Sequence, residues 1–536
     1  MFPWQVLCFI YPGMSRLYKR PTRKALVLGV LASGAIVGIV ALWIAERAYR
    51  PAALKDRIVA LLSDELESEV TLESLDGHFF PRIALSGGGL VVRDKGRTDV
   101  PPLLTIKHFE IRASLRELMQ RPRHVSEVRL KGLEVHIPPG DDREGSNHSK
   151  DTDTTATDDP MHDVVIDRFE APDTVLTLIP KKPNKPPKVF TIHHLVMESV
   201  GRAHQIPFIA VLTNPVPKGE IETSGTFGPW NIAHPARTPV AGKYTFEHAD
   251  LNTIDGLSGI LASQGTFDGR INRIHVQGST DTPKFQVDAG GQPVPLKTQF
   301  AAVVDGSDGD TFLDHVDAKF LNTELTAKGA VVGIQGMHGR RVELDVSMRS
   351  GRIEDVLRLA MNAPKPVLIG AMQLQARLMI PPEKMKVLDK MSLRGAFALS
   401  QAKFTNSSVQ SRIIGLSRHG QGIDSGAPVG DVASNFKGQF AVDRATAAFS
   451  SLTFSVPGAA VELAGRYGLR SEDLDFHGQL RMQATLSEAA GGGVKSILLK
   501  AVDPFFKKEG SGTVLPIKIT GNRKDPQFGL ELFGKK

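Results

Sequence analysis

Ser417 and His419 lie two apart in GLSRHG, residues 415–420. A serine hydroxyl near an imidazole is the minimum of an activated nucleophile. The flanking glycines read as a loop, so no nucleophile is assigned here. DGSDGD, residues 305–310, offers three carboxylates that could hold calcium but lacks the remaining ligands of a calcium loop, and a tight acidic hairpin turn is the simpler reading. His193 and His194 are adjacent on a strand-like run and therefore alternate faces, a poor joint metal site. A lone cysteine, Cys8, permits neither an intrachain disulfide nor a cysteine-based metal site. The phosphate-binding G-x-x-x-x-G-K-[ST], the zinc-binding H-E-x-x-H, C-x-x-C and the nucleophile elbow G-x-S-x-G are all missing from the sequence. The expectation is a chain with no catalytic residues, no metal and no cofactor.

The surrounding elements show what these residues belong to. The 536 residues exceed what one core holds. With 41% apolar and 23% charged residues most of the chain can fold, and 51 Gly with 34 Pro favour turns and short strands over helices. The net charge is +7, but no basic stripe interleaved with aromatics runs through the body, so nucleic acid is not an expected partner.

Ala25–Ala45 (ALVLGVLASGAIVGIVALWIA) is 21 residues without a charge. As a helix it measures about 32 Å, one hydrocarbon thickness. The expectation is an uncleaved membrane anchor. Arg16, Lys19, Arg20, Arg23 and Lys24 precede it closely, while the basic residues after it are mixed with acids. The basic side stays in the cytoplasm, which sends the body of the chain across the membrane. Either Met1 or Met14 serves as the start. Pro51–Val70 follows with Leu54, Ile58, Leu61, Leu62 and Leu66 on one helical face, either against the membrane or capping the next sheet.

From Thr71 the period falls to two. RIALSGGGLVVRD, LLTIKHFEIRAS, VSEVRLKGLEVHI, VELDVSMR and MQLQARLMI each alternate, with a short helix at Ser114–Gln120. Pro138–Pro160 interrupts this with seven acids, two bases and almost nothing apolar, the composition of a solvated loop. Helical spacing returns only at Arg352–Ala363 and Val494–Lys508. These helices are too few to cover a sheet of about 25 strands, so the dry face must meet a second sheet, close on itself, or stay partly open as a gutter. An open apolar floor would be lined by Met372, Leu374 and Leu378 of MQLQARLMI and by Leu480, Met482 and Leu486 of LRMQATL. Phe285 and Phe528 join them through an echoed phrase, VQGSTDTPKFQV (276–287) and ITGNRKDPQFGL (519–530). Gly278 and Gly521 end a strand, Pro283 and Pro526 open the next, and the phenylalanine returns to the dry face.

Two regions resemble the AsmA family of bacterial envelope proteins. After the anchor and its amphipathic helix, VTLESLDGHFFPRIALSGGGLVVRD and RLKGLEVHIP are similar to the family's opening. VASNFKGQFAVDRATAAFSSLTFSVPGAAVELAGRYGL, the Ser496–Phe506 helix and GTVLPIKITGNRKDPQFGLEL are similar to the AsmA-like C-terminal region. The acidic insertion departs from the pattern. The resemblance implies a mainly β protein: an N-terminal transmembrane helix followed by an elongated, curled antiparallel β-sheet groove with a few short helices. It divides the chain into a basic cytoplasmic terminus (1–24), anchor (25–45), N-terminal helix and strands (46–137), acidic loop (138–160), central β-groove (161–409), Gly-rich loop (410–433) and C-terminal region (434–536). It implies a single-pass protein of the bacterial inner membrane with a periplasmic body. Phospholipid and other envelope proteins are the implied partners, and transport of phospholipid or upkeep of outer-membrane lipid is the implied role. Two rivals stay open: a periplasmic assembly factor that pairs with unfolded outer-membrane strands, and an enzyme acting on envelope glycans, which would need a cleft with paired carboxylates.

Overall fold

Alternating sequence becomes strand wherever one face can be dried, and that rule accounts for most of this chain. The structure, a computed structural model, describes residues 51–530 other than 66–67, 79–81, 95–100, 138–163, 179–187, 202–204, 230–236, 288–290, 307–308, 335–336, 338, 362–363, 384, 424–431, 485–506, 509–510 and 524. The described residues are mainly β, with 27 strands and a few short helices. None of those helices is long and apolar enough to cross a membrane. Ala25–Ala45, Pro138–Pro160 and the Ser496–Phe506 helix lie outside the described residues.

The chain divides into two units. Within the described residues, unit 1 runs to Thr253 and adds Leu261–Ser279 and Ala302–Thr311, while unit 2 takes Ile254–Ile260, Thr280–Ala301 and everything from Phe312.

Unit 1 opens with helix α1 (Pro51–Glu65). Strands β1 (Ser68–Thr71) and β2 (Ser74–His78) both pair with β3 (Ile83–Asp94). Next come β4 (Leu104–Ala113), the single turn α2 (Leu115–Leu118), β5 (Arg123–Ile137), β6 (Val164–Glu170), β7 (Thr174–Leu178) and β8 (Lys188–Val200). Strands β9 (Ile206–Pro215), β10 (Lys218–Phe227) and β11 (Pro239–Asp250) continue the antiparallel meander. The N-terminal part of this unit is closed. Ile58 and Leu62, one helical turn apart on α1, join Leu85, Leu104, Phe109 and Val128 in one cluster whose side chains are essentially excluded from water.

One pairing departs from the expected antiparallel sheet. β5 runs parallel to both β6 and β7, with Arg123 opposite Val164 and Ile137 opposite Leu178. Parallel neighbours need a crossover, because the chain must return to the start of the strand it has just left. A strand the length of β5 spans roughly 45 Å, and an extended chain needs about 14 residues to cover it. The acid-rich stretch between Ile137 and Val164 is long enough to make that return, and its polarity suits a connection that crosses solvent.

Strands β12 (Leu257–Ser258), β13 (Ile260–Arg270), β14 (Arg273–Val287), β15 (Val294–Val304) and β16 (Thr311–Phe320) supply residues to one unit or both. β14 corrects one reading of the echoed phrase. It passes without a break through Gly278 and Pro283, so the first copy is the middle of a strand and not a turn. The hydrogen-bonding ladder continues there because no residue in the run adopts positive φ. In the second copy Gly521 does (φ 92°), and it ends a hairpin arm.

Unit 2 continues through β17 (Thr323–Gly333), β18 (Arg340–Arg352), helix α3 (Ile353–Ala360), β19 (Leu368–Ile380), the short helix α4 (Val387–Lys390) and β20 (Ser392–Phe404). Helix α5 (Ser407–Gln421) precedes β21 (Ser434–Asp443), β22 (Thr446–Val456), β23 (Ala459–Gly468) and β24 (Asp473–Met482). β25 (Lys507–Lys508), β26 (Ser511–Asn522) and β27 (Asp525–Leu530) complete it. From β17 to β24 each strand pairs antiparallel with the next, and β24 then pairs with β26 and β26 with β27.

α5 replaces the first part of the expected loop, 410–421, with helix, while 424–431 lie outside the described residues. Asn406 caps its start by accepting from the Ser408 and Val409 backbone amides (2.9 and 3.3 Å), and Gly422 ends it in the left-handed region at φ 69°. Gly415 and Gly420 lie inside the helix despite their poor propensity, and Gly420 packs closely on Gly458 and Ala459. The strand expected over Leu480–Leu486 ends at Met482.

Candidate functional site: an incompletely covered apolar band

Antiparallel register carries side chains of like position into rows that cross the strands. On one face of unit 2 these rows are apolar. One holds Leu344, Leu378, Leu393, Val442, Ala447 and Tyr467; the next holds Val346, Ala376, Gly395, Phe440, Phe449 and Phe476. A third runs Met348, Leu374, Phe397, Leu452, Leu463 and Ile517, across Gly438 and Gly478. A fourth runs Met372, Leu399, Phe436, Phe454, Val461 and Leu480. Residues between them on the strands, such as Gln375, Arg377, Arg394 and Gln439, face the other way and are exposed.

The band is covered along its margin at and beyond the fourth row, where Met372 and Leu399 are buried. α3 lays Val356 and Leu357 against Met372, Leu399 and Ala402. α5 lays Ile413, Ile414 and Leu416 against Val456, Ala459 and Met482. Both helices therefore sit along the same margin of the band. Away from that margin most of the apolar side chains are only half-buried, among them Leu344, Leu378, Leu393, Phe440, Phe449, Leu452 and Leu463. The contrast with unit 1 is large: Leu104 and Val128 there are 0% exposed. A half-wet face of this extent is unusual for a sheet with no further role.

Phenylalanines give the band its relief. Phe436 and Phe454 stand 4.8 Å apart across β21 and β22, Phe449 and Phe476 are 5.7 Å apart, and Phe397 and Phe440 6.1 Å. Their tilted contacts are those aromatic rings prefer. At the margin away from the helices, burial raises the phenol pKa of Tyr467; Glu472 adds to the rise and Arg523 opposes it. Arg523 holds Glu472 through two donors to one oxygen, at 3.0 and 2.7 Å, so this margin ends in a polar pair.

The eight lining residues expected from sequence divide unevenly. Leu374, Leu378 and Leu480 lie in the band and are half-buried. Met372 and Met482 face the same way but are 7% exposed, because the helices close over them; they belong to the covered margin and not to an open floor. Phe285 is half-buried against the α3 cluster. Phe528 is placed on β27 opposite Ile519, and Leu486 lies outside the described residues. The phenylalanine ladder was missed, although each ring falls in phase with its strand's alternation, which is the signal that could have found it.

The chemical motifs resolve into structure. The Ser417 hydroxyl is fully buried and donates to the Pro457 carbonyl at 2.8 Å, while His419, two residues on, is exposed on another side of α5. The Asp305 amide donates to the Asp310 carbonyl (2.8 Å), a tight turn between β15 and β16. His193 and His194 are both exposed because a bulge follows Ile192, and His193 meets the Thr213 hydroxyl at 2.7 Å. Among the described residues no three His, Cys, Asp or Glu side chains gather as metal ligands. Compared with protein-family models, curated proteins and solved structures, the chain matches none.

Proposed function

We propose that the chain is a non-catalytic lipid-binding protein of the bacterial envelope, anchored in the inner membrane by Ala25–Ala45 with its body in the periplasm. In this reading the apolar band of unit 2 is a groove that shelters phospholipid acyl chains and so supports lipid transport or outer-membrane lipid balance. The observation that carries it is the half-burial of Leu374, Phe440, Leu452 and Leu463 on a face of which the described helices cover one margin. Each methylene sheltered there gains roughly 0.8 kcal/mol, so an acyl chain needs no covalent chemistry to be held. The resemblance to AsmA proteins and the charge-free anchor segment supply the compartment.

The test is photocrosslinking in living cells, with the probe at Leu374 and Phe440 and, on the opposite face, at Lys437 and Gln439. Phospholipid adducts at the first pair and not the second support the groove. Equal labelling of both faces, or peptide adducts at the band, defeats it; peptide adducts would favour an assembly factor instead.

A further inference from the structure

The wet face of unit 2 carries its own feature. Across β17 to β20 the register sets Lys328 opposite Asp345, Asp345 opposite Arg377, and Arg377 opposite Arg394. The first two neighbours attract. The third places like charges side by side, which costs a sheet stability unless something neutralises them. Arg377 leans toward carboxylates, with Nη2 3.5 Å from Glu343 and Nε 3.9 Å from Asp345. Among the described residues Arg394 and Lys328 have no ion-pair partner.

These side chains border a depression of about 590 Å³. Short Thr326 and Ser347 make its floor, Gln375 adds an amide, and Asp314 and His315 stand at its edge. His315 is engaged with Asp317 at 2.8 Å. Lys328, Arg377 and Arg394 share the site with Asp314 and Asp345, and Glu343 stands beside Arg377, which leaves Arg394 and Lys328 as its uncommitted cations. Arg377 lies between Ala376 and Leu378, so the depression opens on the face opposite the apolar band.

We propose that this depression is a binding site for a phosphorylated polyol. Two guanidinium forks side by side suit the oxygens of one phosphate, and the hydroxyl and amide groups of Thr326, Ser347 and Gln375 suit the hydroxyls of the polyol. A lone inorganic ion would not use the space, which is in the range of small-molecule sites. The phosphate either belongs to a soluble compound or is the headgroup of a lipid. The site stands on different residues from the proposed groove and does not depend on it.

The experiment uses the full chain in non-ionic detergent. Glycerol 3-phosphate is the soluble probe, followed by saturation-transfer NMR; phosphatidylglycerol mixed into the detergent micelles is the lipid probe, followed by phosphorus NMR of its headgroup. Arg377→Ser and Arg394→Ser are compared with Arg466→Ser, an arginine of the same unit held by Asp475 at 3.1 Å. Binding of either probe that falls roughly tenfold in the first two variants, and not in the third, supports the site and identifies its source. Loss of a charge-assisted contact sets that size. Binding of neither probe, or equal loss in all three variants, overturns it. Folding is not at risk: Arg394→Ser relieves a repulsion, and its melting temperature is expected to hold or rise.

Discussion

Glu170 shows how a single side chain can organise a polar face. It is 12% exposed and accepts from Arg129 (2.9 and 2.6 Å) and from Arg168 (2.7 Å). Burial alone pushes its carboxyl up, but the hydrogen bonds and charges of Arg168 and Arg129 outweigh this and hold it below the ordinary carboxylate range. A depressed folded-state value means that its contribution is complete above the unfolded value, about 4.3, and is lost as pH falls through the folded one. Glu170→Gln is expected to cost about 1 to 2 kcal/mol at neutral pH, discounted because Arg168 is 48% exposed. Calorimetry at pH 7 and pH 3 checks this: the gap between variant and parent should narrow at the lower pH.

Elements decide which part of the band stays open. α5 can lie close to the sheet because Gly420 has no side chain: a Cβ there would stand 2.5 Å from the Gly458 carbonyl oxygen. Gly420→Val should lift the helix, while Asn406→Ala should only fray its first turn, at a cost of about 1 kcal/mol. Hydrogen exchange separates the two. The valine variant should speed exchange throughout Ser407–Gln421 and in the β23–β24 margin beneath. The cap variant should speed it only at the helix start. Unchanged exchange in the valine variant would mean that α5 does not depend on this contact.

At the scale of the whole chain, the two units differ in how far their apolar faces are covered. Phe109 of unit 1 is 2% exposed inside a closed cluster, so Phe109→Ala should cost about 3 to 5 kcal/mol and lower the unfolding temperature sharply. Phe440 of unit 2 is half-buried, so Phe440→Ala should cost only about 1 to 2 kcal/mol. Phe440→Asp should leave the chain folded yet strip it of copurifying phospholipid, measured by mass spectrometry of the extracted lipid. Undiminished lipid in a folded Phe440→Asp protein would remove the band from the proposal.

Local pattern settled much of this architecture before any coordinates. Period-2 alternation placed the face of Met372, Leu374, Ala376, Leu378 and Ile380 correctly, and Ile353, Val356 and Leu357 marked α3, because strand and helix periodicities act over a few residues. Tertiary structure alone decided coverage. Leu374 and Met372 are two apart on one strand and chemically alike, yet one is half-open and the other sealed, because α3 arrives from elsewhere in the chain. The glycines around Ser417 read as a loop, yet Ser417 is a helix residue whose hydroxyl is spent on the Pro457 carbonyl. Gly278 looked like a turn and is mid-strand, because a partner strand continued the ladder. Burial depends on what lies opposite a residue in space, and a sequence lists only what lies beside it along the chain.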